Sequence, residues 1–112
     1  MSPDYPIEID VQQVKVLLDE GVGVVLLDCR EPDEHQAARI DQAQLIPMGE
    51  LPRRIAELAD HRDRRVIVVC HLGGRSLRVA HWLRTQGFQQ AQSMDGGIDA
   101  WAQLIDRSVP RY

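Results

Sequence analysis

Short unbroken apolar runs alternate along this chain with stretches whose apolar residues recur every three to four positions. Val24 to Leu27 and Val66 to Val69 are the clearest runs. Each is branched and apolar on both faces, which predicts a buried parallel strand. Between them the period lengthens. Val11, Val14, Leu17 and Leu18 mark one face of a helix that Asp10 caps, with Gln13 completing a capping box and Gly21 stopping it. Ile9 and Val14 occupy the hydrophobic-staple positions. Pro32 suits the first turn of a short helix through about Ala38. A weaker strand covers Gln44 to Ile46 and closes at Pro47. Leu51, Ile55 and Leu58 then predict another helix, with Pro52 tolerated in its first turn.

Beyond Val69 the pattern predicts a helix from Ser76 to Gln86 with Val79, Trp82 and Leu83 turned inward. Gly87 ends it in the left-handed conformation, pairing Leu83 with Phe88 as in a Schellman cap. A strand around Gln92 to Met94 leads through the tight Gly96-Gly97 turn into a last helix bearing Ile98, Trp101 and Ile105. Strand-helix alternation of this kind predicts an α/β fold: an open, mostly parallel central sheet of about five strands with helices on both faces. The 112 residues match one domain, 1–112. In such sheets ligands bind beyond the carboxyl ends of the strands. Cys70 stands at one such end and Asp28-Cys29-Arg30 at another.

Composition narrows the function. A net charge of −4 argues against nucleic acid or an anionic membrane as partner. No apolar run approaches the length of about 18 residues that a membrane span needs. The first six residues carry neither a basic region nor an apolar core of a secretory signal. Cys29 and Cys70 form no metal-ligand spacing, and His35, His61 and His81 add none, so no metal is expected. Reduced thiols in a cytoplasmic protein fit this composition, and nothing in the sequence demands more than a monomer. Arg53, Arg54 and Arg62-Asp63-Arg64-Arg65 read as a solvated face, with a docking patch for an acidic partner as the other reading.

The chemistry concentrates in Cys70-His71-Leu72-Gly73-Gly74-Arg75-Ser76. A short strand-to-helix turn leaves backbone N–H groups unpartnered and aimed into the loop. Its paired glycines let the backbone fold tightly. A thiolate held there is stabilised by those donors and by the positive end of the helix dipole. The planar guanidinium of Arg75 can hold an oxyanion by two hydrogen bonds. Such a site takes an anionic substrate and attacks it with sulfur. Two reactions fit: sulfane-sulfur transfer through a Cys70 persulfide, or phosphoryl transfer through a cysteinyl-phosphate. Four residues separate Cys70 from Arg75, one fewer than in cysteine phosphatases, and the smaller loop favours a single sulfur atom over a phosphoryl group. The loop also has no acid to protonate a leaving group. His71 and Leu72 are its side chains free to set specificity.

These residues resemble a known family. Cys70-x-x-Gly73-x-Arg75-Ser76 is similar to the active-site loop of single-domain rhodanese sulfurtransferases. Leu26-Leu27-Asp28-Cys29-Arg30-Glu31-Pro32-Asp33-Glu34 resembles their "LLDVREPDE" segment, and Met94-Asp95-Gly96-Gly97 with Trp101 their "GG…W" segment. The resemblance implies that Cys70 carries a persulfide and that the backbone from His71 to Arg75 surrounds its outer sulfur. It implies that Arg75 helps bind a donor anion, typically thiosulfate, and that cyanide or a thiol accepts the sulfur. No metal or organic cofactor is implied. Two departures stand out: Ala38 to Ala43 replaces the family's "GHIPGA" turn, and Cys29 replaces a small apolar residue.

The expectation is therefore a thiosulfate-type sulfurtransferase with Cys70 as nucleophile, the 71–76 loop as substrate cradle, and Asp28 and Arg30 tying the sheet edge together. Two other readings stay open. One is a persulfide carrier or sulfur-sensing module that works with a protein acceptor; the other is a cysteine phosphatase or arsenate reductase. Cys29 reads as a small strand-end residue, with a resolving thiol as its alternative.

Overall fold

The computed structural model describes residues 5–21 and 23–112; residues 1–4, part of the segment read above for a secretory signal, lie outside them. Five parallel strands form one sheet: β1 (Glu8–Ile9), β2 (Val25–Asp28), β3 (Gln44–Leu45), β4 (Val66–Val69) and β5 (Ala91–Met94). Their order is β1-β5-β4-β2-β3, with the two four-residue apolar runs at its centre. Residues of β2 and β4 pair directly, from Val25 with Val66 to Asp28 with Val69. Alternation along these strands divides the core into two layers. Leu27, Val66 and Val68 pack with Leu51, Leu58, Val79, Leu83 and Phe88 on one face. Leu26, Ile67 and Val69 pack with Val11, Val14, Ile98 and Trp101 on the other.

The helices form where the local signals place them. α1 (Val11–Asp19) begins with the Asp10–Gln13 capping box. α2 (Pro32–Ala37) has Pro32 at its start. α4 (Gly74–Thr85) ends in the Schellman pair, Phe88 N–H to Leu83 C=O at 3.0 Å and Gly87 N–H to Arg84 C=O at 3.4 Å. α5 (Gly97–Leu104) follows Gly96. No helix among the described residues is long and apolar enough to cross a membrane.

Three elements differ from the sequence expectation. The helix over Leu51 to Leu58 is a single α-turn, α3 (Leu51–Arg54), continued as a 3₁₀ helix over Ile55–His61. A 3₁₀ helix repeats every three residues, so Ile55 and Leu58 share a face in either form, and the apolar spacing cannot tell them apart. Ile9, a staple residue in the sequence reading, also lies in β1, which pairs with Ser93 and Met94. Two residues are too few for a period to show. α4 begins at Gly74 rather than Ser76, because Gly73 at φ +107° lets the chain turn straight into the helix.

Candidate active site

β4 delivers Cys70 to the carboxyl edge of the sheet, and the turn into α4 curls round its sulfur. Gly73 N–H donates to Cys70 Sγ at 3.1 Å. The thiol lies 3.2 Å from Ser76 Oγ, which contacts the Ser93 hydroxyl at 2.7 Å. All three side chains are buried. As a thiol, Cys70 donates to Ser76. Once the proton has left, hydroxyl rotation turns the same contact into a donor to the thiolate. The loop carbonyls point the other way: Ile98 N–H donates to Cys70 C=O at 2.9 Å and Asp99 N–H to His71 C=O at 3.1 Å. The first turn of α5 therefore takes up these two loop carbonyls, while the Gly73 N–H faces the sulfur. Gly97 makes this docking fit. Its φ is +59°, and a Cβ there would overlap the carbonyls of Cys70 and His71.

The mouth of the site is an open pocket of about 410 Å³ lined by Cys70, His71, Leu72, Gly74, Arg75 and Arg78. A larger cleft of about 500 Å³, lined by Lys15, Arg39 and Asp106 among others, includes no residue of the cysteine loop. Leu72 stands 64% exposed at the rim. His71 stacks on Tyr112, ring centres 4.0 Å apart and planes 12° from parallel. An apolar groove formed by Met48, Leu51, Pro52 and Trp82 adjoins the pocket through Arg78.

Arg75 differs from the expectation of a guanidinium free to grip an oxyanion. Both its terminal nitrogens bind the Glu34 carboxylate of α2, at 2.7 and 2.8 Å. This fork holds the Glu34 carboxyl down at about 2, below its ordinary value. The Arg75 charge stays beside the pocket, but its two-pronged face is taken. Tyr112 joins the same carboxylate, its hydroxyl donating to Glu34 at 2.9 Å and accepting from Arg30 Nη1 at 2.8 Å.

Asp28 and Arg30 lie beneath this layer. Arg30, fully buried, forks onto both Asp28 oxygens at 2.9 and 2.7 Å and reaches the Glu34 and Ala38 carbonyls. Burial by itself would raise the Asp28 carboxyl; hydrogen bonds from Arg30 and His35 outweigh it and hold the group below its usual range. Cys29 is buried next to Cys70. Burial, then the neighbouring Cys70 and Asp28, push its thiol up to about 12.

Residues 10–104 match the family described as Rhodanese-like domain. The chain belongs to the rhodanese family. It is 33% identical over 103 residues to the thiosulfate sulfurtransferase GlpE of Pseudoalteromonas translucida, which covers 92% of this chain and 95% of that one. It is 35% identical over 104 residues to the chloroplastic rhodanese-like/PpiC domain-containing protein 12 of Arabidopsis thaliana, of which it spans only 33%. The crystal structure of a rhodanese-like domain protein from Staphylococcus aureus aligns with a TM-score of 0.81 at 27% identity, over 96% of this chain and 99% of that one. The open parallel sheet is thus the rhodanese fold.

The rhodanese match ends before Tyr112, and sequence reasoning passed over that residue together with Glu34, Ser93 and Arg78 as site residues. Nothing in their local pattern marks them. Glu34 lies within the quoted "LLDVREPDE" segment, which is the one signal that could have drawn attention to it.

Proposed function

We propose that this rhodanese is a sulfurtransferase that moves sulfane sulfur from a thiosulfate-like donor through a Cys70 persulfide to cyanide or a thiol. The observation that carries the reading is the Cys70 sulfur held at 3.1 Å by a loop N–H, in a turn whose carbonyls are drawn away by α5. The Cys70 thiolate attacks the outer sulfur of the donor. The sulfur–sulfur bond breaks, sulfite leaves with its electron pair, and a negatively charged persulfide remains in the cradle. Cyanide or a thiolate then attacks the outer sulfur and regenerates the Cys70 thiolate. Arg78, exposed and without a side-chain ion pair or hydrogen bond among the described residues, supplies positive charge at the mouth for the entering anion. Thiocyanate formation from thiosulfate and cyanide tests the reading. Wild type turns over, and Cys70→Ser falls to background; equal rates would remove the proposal.

A second reading, delivery of the sulfur to a protein acceptor, is favoured by exposed Leu72 and the apolar groove beside the pocket. The arginine run supports it less, since Arg54 pairs with Glu50 and Glu57 while Arg62 and Arg65 lie over the rings of Phe88 and Tyr5. Fast transfer to a protein thiol with negligible thiocyanate turnover would favour this reading. The short loop and the Arg75–Glu34 pair both speak against phosphoryl transfer, and Cys70-dependent hydrolysis of an aryl phosphate would restore it.

A further inference from the structure

We propose that Cys29 is the resolving thiol of Cys70, closing an oxidised Cys70 as an internal disulfide when the site meets a hydroperoxide. The sheet register carries the argument. β2 and β4 pair residue by residue up to Asp28 with Val69. The Cys29 N–H then donates to the Val69 carbonyl at 3.0 Å, extending the ladder to the next pair, Cys29 beside Cys70. Neighbouring strands run about 4.8 Å apart, inside the Cα separation of roughly 4.4–6.8 Å that a disulfide spans.

The two side chains also share a face. Leu27, Cys29, Val66, Val68 and Cys70 belong to one core layer, whereas Leu26, Ile67 and Val69 belong to the other. Both cysteines are free and buried, and the chain has no third. Cys70 lines the open pocket at the mouth of the site and Cys29 does not, so oxidants and sulfur donors reach Cys70 first, and the raised Cys29 thiol keeps it out of the ordinary transfer cycle.

The steps balance as follows. The Cys70 thiolate attacks one oxygen of the peroxide, the O–O bond breaks, and hydroxide leaves; Cys70 is now a sulfenic acid. Cys29 sulfur then attacks Cys70 sulfur. The S–O bond breaks, and the Cys29 proton departs with the hydroxyl as water. One thiolate and one thiol have together lost two electrons, and hydrogen peroxide has become one hydroxide and one water. A dithiol reductant restores both cysteines. Without Cys29, a second peroxide carries the sulfenic acid on to a sulfinic acid that thiols do not reduce.

This inference needs Cys70 only as a reactive thiolate, not as a sulfur carrier. The test treats wild type, Cys29→Ala and Cys29→Val with hydrogen peroxide, followed by denaturing alkylation, intact mass and peptide mapping. Wild type should become lighter by two hydrogens, resist alkylation at both cysteines and yield a linked Cys29–Cys70 peptide. Dithiothreitol should then restore both thiols and the thiocyanate turnover lost on oxidation. In the variants Cys70 should gain two oxygens, and the lost turnover should not return. The inference is overturned if wild-type Cys70 gains two oxygens as fast as in the variants while Cys29 stays open to alkylation. A disulfide joining two chains through Cys70 overturns it equally. A Cys70 inert to both peroxide and alkylation in the native protein would remove the nucleophile of the sulfurtransferase reading as well, so the two failures can be told apart.

Discussion

Glu34 holds Arg75 by both carboxylate oxygens, at 2.7 and 2.8 Å, and so ties α2 to the loop that carries Cys70. The pair is partly exposed: Arg75 retains 32% of its side-chain surface and Glu34 18%. Its contribution to global stability is therefore modest, about 1 kcal/mol, and its larger effect is on where the loop sits. Glu34→Gln should lower kcat/KM for thiosulfate by about tenfold with a small loss of stability. Arg75→Lys should behave similarly, because an ammonium cannot fork. Steady-state rates and urea midpoints check this; an unchanged kcat/KM in Glu34→Gln would show that the fork does not position the loop.

The same pair has an acid signature. Glu34 titrates at about 2 in the folded protein against an ordinary 4.5. Its folded value is the depressed one, so its stabilisation is complete above about 4.5 and fades as pH falls towards about 2. The stability gap between wild type and Glu34→Gln should be constant above pH 5 and shrink steadily below 4.5. Urea melts from pH 6 down to about 3 measure it, and a gap that widens in acid would contradict the assignment.

Tyr112 separates into two parts. Tyr112→Phe keeps a ring against His71 but leaves Arg30 Nη1 without its hydroxyl acceptor, at a cost of about 1 kcal/mol. Tyr112→Ala also removes the stack, worth roughly 0.5–1.5 kcal/mol more. Thermal midpoints should fall in the order wild type, Phe, Ala. Equal values for Phe and Ala would mean that the ring contributes nothing.

Among glycine-to-alanine changes, Gly97→Ala should be the most damaging. The added Cβ overlaps the carbonyls of Cys70 and His71 at a residue with φ +59°, so the loop must move off α5. Thiocyanate formation should drop at least about a hundredfold, the scale of loss expected when reacting groups move by about 1 Å. Gly49→Ala, where a Cβ meets open space, serves as the control and should stay within about twofold.

Much of the architecture was legible without a structure because its signals are local. A four-residue apolar run, an Asp10–Gln13 capping box and a Gly87 cap each act between neighbours a few residues apart, and each formed as expected. The loop from Cys70 to Ser76 was legible for the same reason. The edge strand at Glu8–Ile9 was not, since two residues carry no period. The 3₁₀ stretch over Ile55–His61 escaped because a three-residue repeat satisfies both helix types.

The partners of the loop belong to another level. Glu34 on Arg75, Tyr112 on His71, Ser93 on Ser76 and Cys29 beside Cys70 each join residues well separated in sequence. Strand register sets the cysteines side by side, and the packing of α2, α4 and the C-terminal residues around the sheet brings the others together. The sequence by itself determined the elements, their caps and a cysteine at the tight turn from β4 into α4, because backbone geometry and short-range burial suffice for these. The tertiary structure alone decided that Arg75 is held by a carboxylate and that a second thiol lies behind the first, because those depend on which chain segments the sheet places side by side.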